Sequence, residues 1–218
     1  MSYTGKVTVG GAADVHELTD LMISKVAVGP MNNNAYLLRC RATDEQLLID
    51  AANEPRTLLT LIGPDGITSA VTTHGHGDHW QALAPVVAAT GARTYAGRAD
   101  AADIEVPTDV LVDDGDTITV GRIPLTARHL VGHTPGSIAL VYDDPHGHPH
   151  VFTGDCLFPG GVGNTWGDAE RFTSLLHDVE TKIFAELPDE TWVYPGHGDD
   201  TTLGAERPHL AEWRERGW

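Results

Sequence analysis

Apolar residues fall in short runs of four to eight, each cut off by glycine, proline, asparagine or aspartate. Residues 21–28 and 35–40 predict strands, with Gly29-Pro30-Met31-Asn32-Asn33-Asn34 as the turn between them. Residues 46–49 read as a short buried strand ending at Asp50, and 55–62 as a short helix with Pro55 in its first turn. A strand over 67–73 precedes a helical pattern over 79–90 that stops near Gly91. Then come a short strand at 94–96, a helical turn at 98–103 and strands at 109–112, 117–120, 123–130, 137–142 and 150–153. Across 168–186, Leu175, Leu176, Val179 and Ile183 recur at helical spacing, with Leu187 just beyond, which predicts a core-facing helix. A strand at 191–194 and a helix at 205–216 close the chain. Strands and helices interleave, with more strands than one doubly wound sheet needs. The pattern therefore predicts an α/β (α+β) protein with two sheets between helices, a four-layer αββα sandwich. There is no repeat, low-complexity tract or long linker, so residues 1–218 read as one domain.

Composition narrows the class without changing that picture. An apolar fraction of 41% and a charged fraction of 21% exclude a disordered chain. No apolar run approaches the roughly 18 residues of a membrane span. The first residues carry no secretory signal, and Cys40 and Cys156 read as free thiols, so the expected location is the cytoplasm. Fourteen basic against 31 acidic residues give a net charge of −17, which disfavours nucleic acid and anionic membrane as partners.

The twelve histidines carry the chemistry. Thr73-His74-Gly75-His76-Gly77-Asp78-His79 places four potential metal ligands within six residues at a strand end. Neutral imidazoles and a carboxylate suit zinc and other borderline divalent ions. The two glycines let the backbone bend so that the side chains converge. His133 in Gly132-His133-Thr134-Pro135-Gly136-Ser137, Asp155 in Thr153-Gly154-Asp155 and His197 in Pro195-Gly196-His197 each follow a predicted strand as well. A lone histidine in a turn is usually structural, but three in order behind the first motif point to one site.

These four motifs, taken together, resemble the metallo-β-lactamase fold superfamily, and within it the glyoxalase II branch of hydroxyacylglutathione hydrolases. The resemblance spans roughly residues 20–205. It implies two divalent metal ions, zinc in the first instance, with iron or manganese as alternatives. His74, His76 and His133 would hold the first, Asp78, His79 and His197 the second, and Asp155 would bridge them. Asp78 and Asp155 would act with a metal-bound hydroxide on a small-molecule acyl or thioester substrate. Two ions, two carboxylates and one hydroxide leave about +1 at the centre, which favours a developing oxyanion.

The same motifs resemble persulfide dioxygenases, which imply a single iron on the positions of His74, His133 and Asp155. A non-catalytic metal-binding module is the third reading. Relatives in the glyoxalase II branch often carry a basic residue at the position of Asn164 and a tyrosine at that of Gly198, and they extend past the 21 residues that follow His197 here. Those differences point away from glutathione and toward a shorter thioester, an ester of another thiol or another acyl compound.

Several residues invite a role on weaker grounds. Asp50 either orients a metal-bound histidine or caps a turn. His129 reads as a half-buried strand residue. His146, His148 and His150, alternating with glycine and proline, read as a solvated hairpin loop. His16, His177 and His209 read as surface residues. Cys156 reads as a small buried apolar side chain. The glycine-rich stretch 159–166 lacks the Gly-Lys-Ser/Thr of a phosphate loop and reads as a wall over the site, with Trp166 placed to contact substrate.

Overall fold

The structure is a computed structural model and describes residues 2–217. Among the described residues, seven strands pair in simple order: β1 Asp14–Glu17, β2 Leu21–Val28, β3 Asn33–Cys40, β4 Gln46–Ile49, β5 Ser69–Thr72, β6 Arg93–Gly97 and β7 Val110–Val112. The first four run antiparallel and the last four parallel. The second sheet contains β8 Thr117–Val120, β9 Ile123–His129, β10 Ile138–Tyr142, β11 His150–Gly154, β14 Trp192–Pro195 and β15 Thr201–Thr202, in the order 15-14-11-10-9-8. A small ribbon of β12 Leu157–Phe158 and β13 Gly161–Val162 leaves it after β11.

Alternation along the strands builds the layers. Leu21, Ile23, Tyr36, Leu38, Leu47 and Ile49 from the first sheet meet Ile138, Leu140, Phe152 and Tyr194 from the second in one core. On the outer face of the first sheet, Val26, Val28, Leu37 and Leu48 pack under the helices α1 Pro55–Ile62 and α2 Leu83–Thr90. Behind the second sheet, Ala139, Val141, Val151 and Val193 pack under α3 Ala169–Val179 and the C-terminal α5 Leu210–Arg216. Central strands are thus buried on both faces, which is why they read as unbroken apolar runs. The result is the predicted αββα sandwich. No helix among the described residues is long and apolar enough to cross a membrane.

Proline explains where the helices depart from the predicted spans. The pattern over 79–90 becomes a 3₁₀ turn at Gly77–His79 and then α2 from Leu83. Pro85 has no N–H to give and fits only in a helix's first turn, so the helix cannot start at 79. Pro208 likewise divides 205–216 into α4 Leu203–Glu206, a 3₁₀ turn at Arg207–His209 and α5. The helix over 168–186 starts behind an Asp168 side chain that accepts from Glu170 N and Arg171 N, and it widens to a π turn over Glu180–Phe184. The edge strands β1 and β15 have no apolar run of their own and were not expected.

Two histidine expectations are corrected. His150 is no loop residue: it opens β11, is buried, and its Nδ1 lies 3.0 Å from the Tyr194 hydroxyl. His16 is no surface residue either: it is half-buried in β1, with Nδ1 2.8 Å from the same hydroxyl and its ring stacked on Tyr3 at 4.4 Å. A tyrosine hydroxyl donates once and accepts as well, so it serves both rings. His146 keeps the loop character and pairs with Asp20 at 3.1 Å, and His177 and His209 are exposed.

Burial, with His148 and His16 close by, pushes the His150 pKa from 6.5 down to about 3. The unfolded chain takes up that proton first, so the stability gained from neutral His150 is complete above about pH 6.5 and is lost as pH falls toward 3. Between about pH 6 and pH 4 the protein is expected to lose stability by up to about 1.4 kcal/mol per pH unit more than His150→Asn. Urea unfolding at stepped pH reads that slope, and equal slopes would contradict a neutral His150.

Candidate metal centre

All the motif residues sit at one edge of the sandwich because the strands that precede them point there. β4 and β5 are parallel, so Asp50 and the 73–79 loop emerge side by side. β9, β11 and β14 run in one direction across the second sheet, so His133, Asp155 and His197 emerge together. Backbone bonds join the two edges: Ile138 N donates to Thr73 O at 2.9 Å, and Asn34 N to Gly196 O at 2.7 Å.

The structure brings together all seven predicted ligands. The donor atoms of His74, His76 and His133, those of His74, His79 and Asp155, and those of Asp78, His79 and His197 each lie within 4.8 Å of one another. Asp155 stands between the groups: Oδ1 is 3.4 Å from His79 Nε2, and Oδ2 is 3.6 Å from His133 Nε2 and 3.5 Å from His197 Nε2. Asp78 Oδ2 is 3.4 Å from His197 Nε2 and 3.6 Å from His79 Nε2.

The opposite ring nitrogens have partners that fix each tautomer. His79 Nδ1 lies 2.8 Å from Asp50 Oδ2, His133 Nδ1 donates to Asn164 O at 2.9 Å, and His197 Nδ1 donates to Met31 O at 3.0 Å. The Thr73 hydroxyl donates to Asp50 Oδ2 at 2.8 Å, which leaves it to accept from His74 Nδ1 at 3.1 Å. Asp50 therefore orients His79 directly and His74 through Thr73. It does so from the left-handed region, at φ 57, with Thr73 N donating to its other oxygen at 2.8 Å. The Nε2 atoms are left to face one another. His74 Nε2, His133 Nε2 and Asp155 Oδ1 are buried without a hydrogen-bond partner.

The electrostatics agree with that crowding. Burial and the neighbouring His79 hold the His74 pKa well below its ordinary value. Burial works against charge on His197, but Asp155 and Asp78 overcome it and push its pKa up to about 10. Burial would raise Asp155 too, yet the His197 and His79 imidazoles close beside it hold it well below the usual carboxylate range. The carboxylates thus draw protons onto His197 and His79, and a cation entering the cluster has to displace them.

Glycines make the approach possible. A Cβ on Gly196 would stand 2.1 Å from Asp155 Oδ1 and 2.8 Å from His79 Cε1. Gly196→Ala is expected to abolish metal uptake, measured by equilibrium dialysis, and to cost about 1–3 kcal/mol of stability. Uptake equal to that of the parent protein would sink this account.

The sequence left Asp50 open between two roles, and the structure chooses the orienting one. His129 is half-buried at the end of β9, and Cys156 is buried, with burial pushing its thiol pKa up. Asn33, whose Nδ2 donates to Asp78 Oδ2 at 2.8 Å, was missed. Its only signal is the asparagine run 32–34, which the pattern reads as turn and which opens β3 in the fold. Lys25 was missed as well. It lies in β2 on the same face as Leu21 and Ile23, fully buried, and donates to Gly5 O, Gly198 O and Asp200 Oδ1 at 2.8, 2.7 and 2.6 Å. That ties the loop after His197 to the core.

A family model described as the metallo-beta-lactamase superfamily matches residues 28–197. The chain is 34% identical to a hydroxyacylglutathione hydrolase of Polaromonas sp. over 180 residues, which are 81% of this chain and 66% of that one. It is 36% identical to the human mitochondrial persulfide dioxygenase ETHE1 over 172 residues, which are 74% of this chain and 62% of that one. It thus spans somewhat under two thirds of these relatives. The crystal structure of TTHA1623 in a di-iron-bound form superposes with a TM-score of 0.67 at 32% identity, covering 84% of this chain and 96% of that one.

Proposed function

The chain belongs to the metallo-beta-lactamase superfamily, and from that premise we propose that it is a metal-dependent hydrolase that cleaves a small-molecule thioester, or a related ester or lactone, with two divalent ions. The observation that carries this reading is the set of orphaned atoms, His74 Nε2, His133 Nε2 and Asp155 Oδ1, within a cluster of donors. Buried polar atoms without partners are rare, and each of these is a metal donor. In this reading His74, His76 and His133 hold one ion, Asp78, His79 and His197 the other, and Asp155 lies between them. Zinc suits the imidazole and carboxylate donors, as do iron and manganese. Divalent ions held there would lower the pKa of a coordinated water to about 7 and polarise a carbonyl oxygen.

The chain's own share is positioning. Asp50, Asn164 O and Met31 O hold three imidazoles with Nε2 inward, so little reorganises on binding. Asp78 and Asp155 supply two negative charges that offset the ions and leave carboxylate oxygens to orient a water. The hydroxyacylglutathione hydrolase relative supports the acyl-transfer chemistry. The persulfide dioxygenase relative supports a second reading, with one iron on His74, His133 and Asp155.

Elemental analysis of protein purified without added metal separates the two. About two zinc per chain, with turnover on a thioester panel, is the expected result. About one iron per chain, with oxygen uptake on a persulfide, would replace it with the second reading. No metal bound and none taken up on titration would overturn both.

A further inference from the structure

Two large hydrophobic side chains stand exposed at the rim of the metal centre: Trp166 is 56% exposed and Met31 59% exposed. The Trp166 ring lies over His133, with centroids 5.3 Å apart and planes at 27°, and meets His76 edge-on at 5.5 Å. Beside His197, the exposed Met31 offers its carbonyl to that imidazole, and the half-buried Phe158 ring is 6.4 Å from the His197 ring. Apolar residues therefore border the cluster beside His133 and His76 and again beside His197.

The backbone is arranged to keep the indole there. Trp166 sits in the left-handed region at φ 54, where a bulky residue is an outlier. Its backbone N–H donates to Asn164 Oδ1 at 2.8 Å, and the Arg171 guanidinium lies 4.8 Å over its ring. A strained, exposed tryptophan beside a cluster of metal donors gains nothing from burial, and strain of this kind collects at functional sites.

The cations around this edge are committed elsewhere. Arg171 donates from Nε to Gly132 O at 2.8 Å and from Nη2 to His133 O. Arg216 donates to Gly160 O at 2.9 Å and faces Glu212, and Lys6 pairs with Asp199 at 3.0 Å. Asn164 spends its side chain on Trp166 and its carbonyl on His133. A thiol bearing carboxylates, such as glutathione, meets apolar walls here and an Arg171 guanidinium already held by two backbone carbonyls and the Trp166 ring.

On the hydrolase reading above, we propose that the non-reacting part of the substrate is an apolar aryl or alkyl group, selected by Trp166 and Met31 at the mouth of the site. Apolar contact with an indole then contributes to transition-state binding without a charged anchor.

The test compares two thioesters of one acyl group, one made from benzyl thiol and one from glutathione, on the metal-loaded protein. A kcat/KM ratio of about tenfold or more in favour of the benzyl ester is expected. The ratio should collapse in Trp166→Gly, a change its φ tolerates, and fall several-fold in Met31→Ser, an exposed turn position. An equal or reversed preference overturns the inference and leaves the hydrolase reading standing. A benzyl thioether, with CH2 in place of the carbonyl, is titrated by calorimetry against the same proteins and needs no turnover. Weaker binding to both variants supports the apolar rim, and equal binding to all three overturns it. If neither ester is hydrolysed while the thioether still discriminates, the hydrolase reading falls and the rim remains.

Discussion

Asp155→Asn is expected to cut kcat/KM on any hydrolysed thioester by about a thousandfold and to leave the protein with about one ion or fewer per chain. The substitution keeps the shape and removes the charge. Asp155 faces both ligand groups, with one oxygen toward His79 and the other toward His133 and His197. Losing its charge would leave Asp78 as the one carboxylate among the seven donors against the two divalent cations proposed. On the proposed two-ion reading, several kcal/mol of transition-state stabilisation would depend on the ions, and about 4 kcal/mol is a thousandfold in rate. Kinetics and elemental analysis on one preparation check both halves. A variant that keeps two ions and loses only rate would show that Asp155 acts on the substrate and not as the bridge. Near-parent activity would sink the proposed site.

Lys25→Met is expected to cost about 3–5 kcal/mol of stability, the price of breaking a buried pair by removing one partner. The Lys25 and Asp200 side chains are 0% and 1% exposed. Burial pushes the Lys25 pKa down and the Asp200 pKa up, and each opposes that push on the other. Without the ammonium, Asp200 Oδ1 loses its donor and Asp200 keeps only Tyr3 at 2.5 Å and Trp192 at 2.9 Å, both on Oδ2, while Gly5 O and Gly198 O retain Asp200 N at 3.2 Å and Asn34 Nδ2 at 2.9 Å. Thermal unfolding should fall by about 10 °C or more. Lys6→Ala, which breaks the exposed pair with Asp199, should shift it by less than about 2 °C. Equal shifts would show that Lys25 stabilises only as a surface residue would.

The cluster of donor side chains was legible because its signal is local. Four donors within six residues announce themselves, and His133, Asp155 and His197 each follow a strand end that the apolar pattern marks. The sandwich was legible because strands buried on both faces leave unbroken runs. What the pattern could not show depends on residues far apart in sequence. His16 and His150 are drawn inward by Tyr194, and Lys25 by Asp200 and the loop carbonyls. β1 and β15 exist because a neighbour offers them a free edge, and neither carries an apolar signal. The helix breaks at Pro85 and Pro208 were written in the chain, and periodicity alone passed over them. Trp166 was expected near the substrate, but its left-handed backbone and the Arg171 clamp depend on how the loop packs against α3.

The strand ends that build the centre come from positions 50 through 197, spread over both sheets. No contiguous fragment carries a complete donor set, so a nascent chain has little to offer an ion until β14 has docked beside β11. Such long-range pairing is slow to nucleate, and a ligand that prefers the finished state pulls the equilibrium toward it by mass action. Loading would therefore come late in the protein's assembly, and the ion, once captured, would act as a latch that slows unfolding from the side of the native state.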